Sequence, residues 1–172
     1  MHSPTVSFAA TQYPLPPLTC TSLRAAEAGL IGARLAAMDP WKRLGYGAEP
    51  LGRYLAAADP SLKRFAVQNE PETVAVVCIR YPWLRGPYLE LLAVFPGNQG
   101  QGVGQAILAW IEEQARPSAK NLWTMTSEFN HRARRFYQAA GFVEIAPVAD
   151  LVADGCNEIL LRKTLTAPVP AA

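Results

Sequence analysis

Apolar residues recur at Leu23, Ala26, Leu30, Ile31, Leu35 and Met38, at steps of three or four apart from the adjacent Leu30-Ile31. That spacing predicts a helix opened by Ser22 as N-cap and closed at Asp39-Pro40. A second, weaker helical pattern covers 50–58. Ahead of both, Pro4, Pro14, Pro16 and Pro17 read as irregular chain, with a short edge strand expected at 5–9. The period then shortens to two. Residues 62–68 and 73–81 read as strands joined by the turn Asn69-Glu70-Pro71-Glu72, and a third strand, 88–95, follows the breakers Pro82 and Gly86-Pro87. Val103, Ile107, Trp110 and Ile111 then form one helical stripe that stops before Pro117. A short strand is expected at 121–127. Ala133, Phe136, Tyr137 and Ala140 share a face of a helix starting near Asn130, with Gly141 at its C-terminal cap. Strands around 142–146 and 157–165 close the pattern. Two helices, a meander, then strand–helix–strand–helix–strand describe an α/β or α+β sheet with helices on both faces.

The chain has 172 residues, which predicts one domain over 1–165 with a mobile tail at 166–172. Half the residues are apolar and 17% are charged, a globular composition. A net charge of +2 gives no reason to expect nucleic-acid binding. Arg132, Arg134 and Arg135 cluster locally, and on a helix such a cluster reads as a solvated face. Cys20, Cys78 and Cys156 lie far apart without a CxxC pair, which fits reduced thiols. The opening MHSPTVSF lacks the charged and long apolar regions of a signal peptide, and no stretch approaches the ~20 apolar residues of a membrane span. The expectation is a cytoplasmic protein without membrane contact.

The stretch NQGQGVGQA, 98–106, spends three glycines just where a helix must begin. A Walker loop would need GxxxxGK[ST], and no lysine follows these glycines. A Rossmann turn would need GxGxxG, whereas Gly100, Gly102 and Gly104 are evenly spaced. The physics shared by such loops still applies. Backbone N–H groups unobstructed by side chains can converge on one anion, and the following helix adds the positive end of its dipole. A diphosphate gripped by main chain is the ligand this favours; the plain alternative is a flexible strand–helix turn.

Two motifs resemble one family. LAVFPGNQGQGVG is similar to the acetyl-CoA motif [QR]xxGx[GA] of GNAT-superfamily N-acetyltransferases, matched at Gln99, Gly102 and Gly104 behind Leu92-Ala93-Val94 and Pro96. The second signature, NxxAxx[FL]YxxxGF, is complete as Asn130, Ala133, Phe136, Tyr137, Gly141 and Phe142. The close resemblance covers roughly 88–142. It implies a mixed, mostly antiparallel sheet of about 6–7 strands, splayed between two parallel strands, with helices on both faces. It also implies acetyl-CoA as donor, held by Gln99, Gly100, Gln101, Gly102, Val103 and Gly104 at its diphosphate. Leu92 and Val94 would pair with the pantetheine arm, and Asn130 would lie beside it. No metal is expected.

The chemistry implied is acetyl transfer to a primary amine by direct attack in a ternary complex. A lysine-like amine with a pKa near 10.4 is only about one part in two thousand neutral at pH 7, a deficit of roughly 4.5 kcal/mol that a carboxylate base can reduce. Glu90 is the sole charged residue of the apolar strand 88–95 and matches the family's glutamate; its alternative is an ion pair with Arg80 or Arg85. Tyr137 lies two helical turns after Asn130 and matches the family's general acid toward the thiolate. Trp41 and Trp83 fall in regions that build acceptor pockets in the superfamily. Phe95 would make the channel floor more apolar, Cys78 reads as a small core residue, and His131 is expected to point outward. The acceptor stays open between a protein N-terminus, a lysine, a polyamine, an aminoglycoside or another small amine. Exposed strand edges leave a homodimer open. A non-catalytic acyl-CoA sensor or scaffold is the competing class.

Overall fold

The computed structural model describes residues 8–165 and contains eight strands and four helices there. The strands form one sheet in the order β1-β2-β3-β4-β5-β6-β8-β7. Neighbours are antiparallel at β1–β2, β2–β3, β6–β8 and β7–β8, and parallel at β5–β6. Among the described residues no helix is long and apolar enough to cross a membrane. The chain clusters into two compact units.

One unit holds Ala10–Ile79 and Leu91–Gly104. It contains β1 (Gln12–Leu15), β2 (Leu18–Ser22), α1 (Ala25–Ala36), α2 (Ala48–Ala56), β3 (Leu62–Asn69), most of β4 (Glu72–Trp83) and the end of β5 (Gly86–Val94). Its core joins Ile31 and Leu35 of α1, Leu51 and Leu55 of α2, Val76 and Cys78 of β4, and Leu91, Ala93 and Phe95. The alternation that buries Leu91 and Ala93 leaves Leu92 and Val94 half-buried. Ser22, expected as the N-cap of α1, lies instead in β2, paired with Phe65. Thr19 and Thr21 suit a strand and extend the β3 ladder, so pairing outweighs the cap. Helix α1 starts after Arg24, whose backbone N–H donates to Glu27 Oε2 at 3.1 Å in a capping box.

Helices α1 and α2 approach at glycines. A Cβ on Gly32 would stand 2.5 Å from the nitrogen of Gly52 and 2.7 Å from the carbonyl oxygen of Ala48. Both are backbone atoms and cannot rotate away. Gly32→Ala is therefore expected to destabilise the protein by about 1–3 kcal/mol through overpacking, read as a lower urea midpoint with an unchanged m-value.

The other unit holds Arg80–Glu90 and the chain from Gln105 onward, with Phe8 and Ala9. Helix α3 (Val103–Ala115) presents Ile107, Leu108, Trp110 and Ile111 as buried residues, and β6 (Asn121–Ser127) and β8 (Cys156–Thr164) bury Leu122 and Leu161. Phe8 meets Trp110 and Tyr81 edge-on at 5.7 and 6.2 Å. β6 and β8 keep an unbroken register from Asn121↔Thr164 to Ser127↔Glu158. Arg134 of α4 (His131–Ala139) holds Glu144 of β7 (Val143–Ala153) through two bonds of 2.8 and 3.0 Å. One of the three clustered arginines is thus a structural clasp. The parallel β5–β6 ladder consists of Tyr88↔Trp123 and Leu89↔Thr124.

The opening differs from its sequence reading. Residues 5–7 of the expected edge strand lie outside the described residues, and Phe8 stands in a turn. Of the prolines read as irregular chain, Pro4 lies outside the described residues, while Pro14 sits opposite Thr19 in the β1–β2 hairpin and Pro16-Pro17 forms its bend. The tail 166–172 also lies outside the described residues.

Candidate active site

The loop between β5 and α3 is shaped by its own side chains. Gln99 Nε2 donates to the Val94 carbonyl at 2.8 Å, and Gln101 Nε2 donates to the Gly97 carbonyl at 2.7 Å. These two amide staples take up two of the loop's carbonyls. Among the described residues, the N–H groups of Gly100, Gly102, Val103 and Gly104 have no backbone partner, whereas Gln101 closes the turn at 99–100. Gly100 and Gly102 have φ of +76° and +81°, the left-handed region that a side chain resists. Nothing lies within 4 Å of a Cβ placed on either. The glycines therefore serve conformation and leave open space, as an anion cradle requires, and the 13-residue α3 adds its dipole. Gly104 is helical and belongs to α3.

In the other unit, the sheet carries ionisable groups close together. Glu90, with a side chain 20% exposed, receives both Arg80 Nε at 2.6 Å and Arg80 Nη2 at 3.1 Å. The ion pair weighed from sequence is present, with Arg80 rather than Arg85. Tyr88 is pushed up by burial, with the charges of Glu90 and Glu158 adding to the effect. Its ring stacks on Trp83 at 4.8 Å, and Trp83 meets Trp123 edge-on at 5.6 Å. Trp83 thus joins an aromatic group beside Glu90, whereas Trp41 packs against the α1–α2 core of the first unit.

Tyr137 is buried on α4 between Phe136 and Phe142, at ring distances of 5.1 and 5.3 Å. Burial pushes its phenol up to about 12, only partly offset by a hydrogen bond with Thr124. At neutral pH it holds its proton, the form a general acid needs. Asn130 is the N-cap of α4: its Oδ1 accepts from the Ala133 N–H at 3.1 Å. The motif asparagine thereby sets the direction of the helix that carries Tyr137. His131 follows as the first helical residue. Among the described residues, no group of three or more histidine, cysteine, aspartate or glutamate side chains is placed to hold a metal ion.

Phe95 departs from its sequence reading as a channel-floor residue. It is fully buried, with the Arg34 guanidinium 3.5 Å above its ring. The strand's alternation puts residue 95 on the core face with Leu91 and Ala93. Cys78 is a core residue, as expected.

Sequence reasoning passed over Glu158. It is 6% exposed and accepts a hydrogen bond from Ser127 Oγ at 2.6 Å. Burial raises its pKa and the serine partly lowers it again. The signal was available, since Glu158 opens the apolar run Ile159-Leu160-Leu161, just as Glu90 interrupts its own. Nothing in the spacing, however, brings residue 158 next to 127; only the β6–β8 register does.

Comparison with known proteins agrees with this architecture. Residues 33–142 match the Acetyltransferase (GNAT) family, and the chain belongs to that family. A 55-residue stretch is 36% identical to the aminoalkylphosphonate N-acetyltransferase of Salmonella typhimurium, covering 31% of this chain and 36% of that protein. Among solved structures, an acetyltransferase from Thermus thermophilus superposes with a TM-score of 0.69 at 21% identity, over 86% of this chain and 97% of that one. An aminoglycoside 6'-N-acetyltransferase complexed with coenzyme A gives a TM-score of 0.65 at 14% identity, over 88% and 99% of the two chains. At such identities the structural likeness speaks to the fold.

Proposed function

We propose that the protein is an acetyl-CoA-dependent N-acetyltransferase acting on a primary amine by direct attack, with residues 1–165 as its catalytic domain. The observation that carries this reading is the stapled glycine loop, where Gly100 and Gly102 take left-handed φ with open space at their missing Cβ positions, just ahead of α3. The coenzyme A bound by the aminoglycoside 6'-N-acetyltransferase supports the choice of donor. Gln99 to Gly104 hold the diphosphate, and the edge positions Leu92 and Val94 pair with the pantetheine arm. Tyr137, capped into place by Asn130, returns a proton to the departing thiolate. Glu90, steadied by Arg80, contributes negative charge at the acceptor end, and Trp83 offers an aromatic wall for the acceptor's carbon frame. Trp41, packed into the first unit, remains the other acceptor-side candidate. Aminoalkylphosphonates, named for the Salmonella relative, join polyamines and protein amines as acceptors to screen.

A Gly102→Val substitution tests the cradle. A Cβ there meets no protein atom within 4 Å, but the valine must adopt a left-handed φ and places its bulk in the loop's open space. Calorimetric affinity for acetyl-CoA should fall at least about a hundredfold, close to 3 kcal/mol. Wild-type affinity in this variant removes the loop from the reading. A non-catalytic sensor would bind acetyl-CoA yet release no thiol with any amine of the panel.

A further inference from the structure

Glu90 is the carboxylate that sequence singles out, yet both of its oxygens are engaged by one guanidinium, at 2.6 and 3.1 Å. The guanidinium favours its charged form, so a proton collected there gives up the attraction of a bidentate pair. The other buried or half-buried glutamates tell a similar story: Glu27 pairs with Arg24, Glu112 with Lys163 and Arg116, and Glu144 with Arg134. Glu158 differs. It is more than nine-tenths buried, no cation is paired with it among the described residues, and its one recorded bond is from the Ser127 hydroxyl to Oε1. Oε2 accepts no hydrogen bond from the described residues and is not among their buried unpartnered atoms, so it stays open to solvent. A carboxylate so buried and so lightly held costs the fold free energy, which is typical of a group kept for chemistry.

Its neighbours strengthen the case. The register sets Ser127 opposite Glu158, and β6 alternation puts Trp123, Met125 and Ser127 on one face with their β8 partners Arg162, Leu160 and Glu158. The cation–π contact of Arg162 with Trp123 at 5.8 Å and the Ser127–Glu158 bond lie on that face. Tyr88 stands opposite Trp123 in β5 and is close enough to both Glu158 and Glu90 for their charges to act on its hydroxyl. Around the Tyr88 hydroxyl, then, act the charges of Glu90 from β5, Glu158 from β8 and Arg80 from β4, with Tyr137 of α4 also felt there; Glu128, just beyond β6, accepts from Asn157 Nδ2 at 3.0 Å.

We infer that Glu158, rather than Glu90, is the proton acceptor for the attacking amine. This rests on the acetyl-transfer reading above. The amine nitrogen bonds to the thioester carbonyl carbon and the carbon–sulfur bond breaks. The proton shed by nitrogen goes to the Glu158 carboxylate, and the Tyr137 hydroxyl gives its proton to the thiolate. Solvent then takes the proton from Glu158 and reprotonates Tyr137. Ser127 is a positioning residue that holds Oε1 and leaves Oε2 to work.

The test is the pH dependence of thiol release from acetyl-CoA with putrescine, 2-phenylethylamine and 2-aminoethylphosphonate as acceptors. A base must be ionised to act, so activity rises with pH through its pKa and gives kcat/KM an acid limb. Glu158→Gln should lower kcat/KM about 10²- to 10⁴-fold and abolish that limb, while the heat of acetyl-CoA binding stays at the wild-type value. Glu90→Gln should be slower but keep the limb. Ser127→Ala removes the donor that favours the carboxylate, so the limb should move to higher pH; this variant decides the matter if the glutamine variant does not fold. A limb retained in Glu158→Gln, lost in Glu90→Gln, or unmoved in Ser127→Ala overturns the assignment. Wild-type protein that binds no acetyl-CoA and releases no thiol overturns the acetyl-transfer reading itself, and this inference with it.

Discussion

Replacing Tyr137 by phenylalanine is expected to slow amine-dependent thiol release by about 10²- to 10⁴-fold, or roughly 3–5 kcal/mol of barrier. The phenyl ring keeps its contacts with Phe136 and Phe142, so the loss is confined to one hydroxyl. Thr124 keeps its bond of 3.0 Å to the Leu89 carbonyl, and stability should fall by only about 1 kcal/mol. The alkaline side of the pH profile adds a second check. With its phenol pushed up to about 12, Tyr137 stays protonated throughout the range from pH 6 to 10. Any fall in rate within that range therefore belongs to another group and should persist in the variant. Thiol release at the wild-type rate in Tyr137→Phe would strip the tyrosine of its role.

The largest expected effect on stability comes from Gly86, the first residue of β5. A Cβ there would fall 1.8 Å from the carbonyl oxygen of Asn121 and 2.8 Å from its carbonyl carbon. The neighbouring backbone cannot step aside. Asn121 is pinned to Thr164 at the start of the β6–β8 ladder, and Lys120 donates to the Arg85 carbonyl at 3.3 Å while its own carbonyl accepts from Leu165. Gly86→Ala should therefore cost more than about 3 kcal/mol, beyond the usual range for overpacking, because relief requires moving one strand off another. Equilibrium denaturation checks this. A midpoint equal to that of the wild type would mean that β5 and β6 separate readily at this end.

Much of the fold can be read along the chain because local pattern and burial coincide. The strand at 121–127 emerges at its observed bounds, and the helix after Asn130 begins at its own N-cap. Both are framed by strong signals, an alternating run in one case and a capping residue in the other. The first hairpin was hidden for the opposite reason. Four prolines in the first 17 residues argue against a strand, and only the partners in β3 make one worthwhile. Helix α1 starts later than Ser22 predicts for the same cause. At the proposed site, the glycine loop and Tyr137 were legible through motifs whose spacing reflects local geometry. Glu158 was not, since its meaning depends on a residue 31 positions away.

Residue order alone dictates most of the helices and strands beyond the first hairpin, where glycines free the backbone at 100–104, and that a tyrosine follows the cap of α4 by two turns. These are short-range matters of periodicity, capping and glycine conformation. Folding in three dimensions decides which carboxylate is neutralised and which is not. Arg80 lies ten residues from Glu90, yet it is hairpin pairing that joins them, and it is the β6–β8 register that leaves Glu158 with a hydroxyl for company. Charge pairing and desolvation depend on distances through space, and those exist only once the sheet has formed.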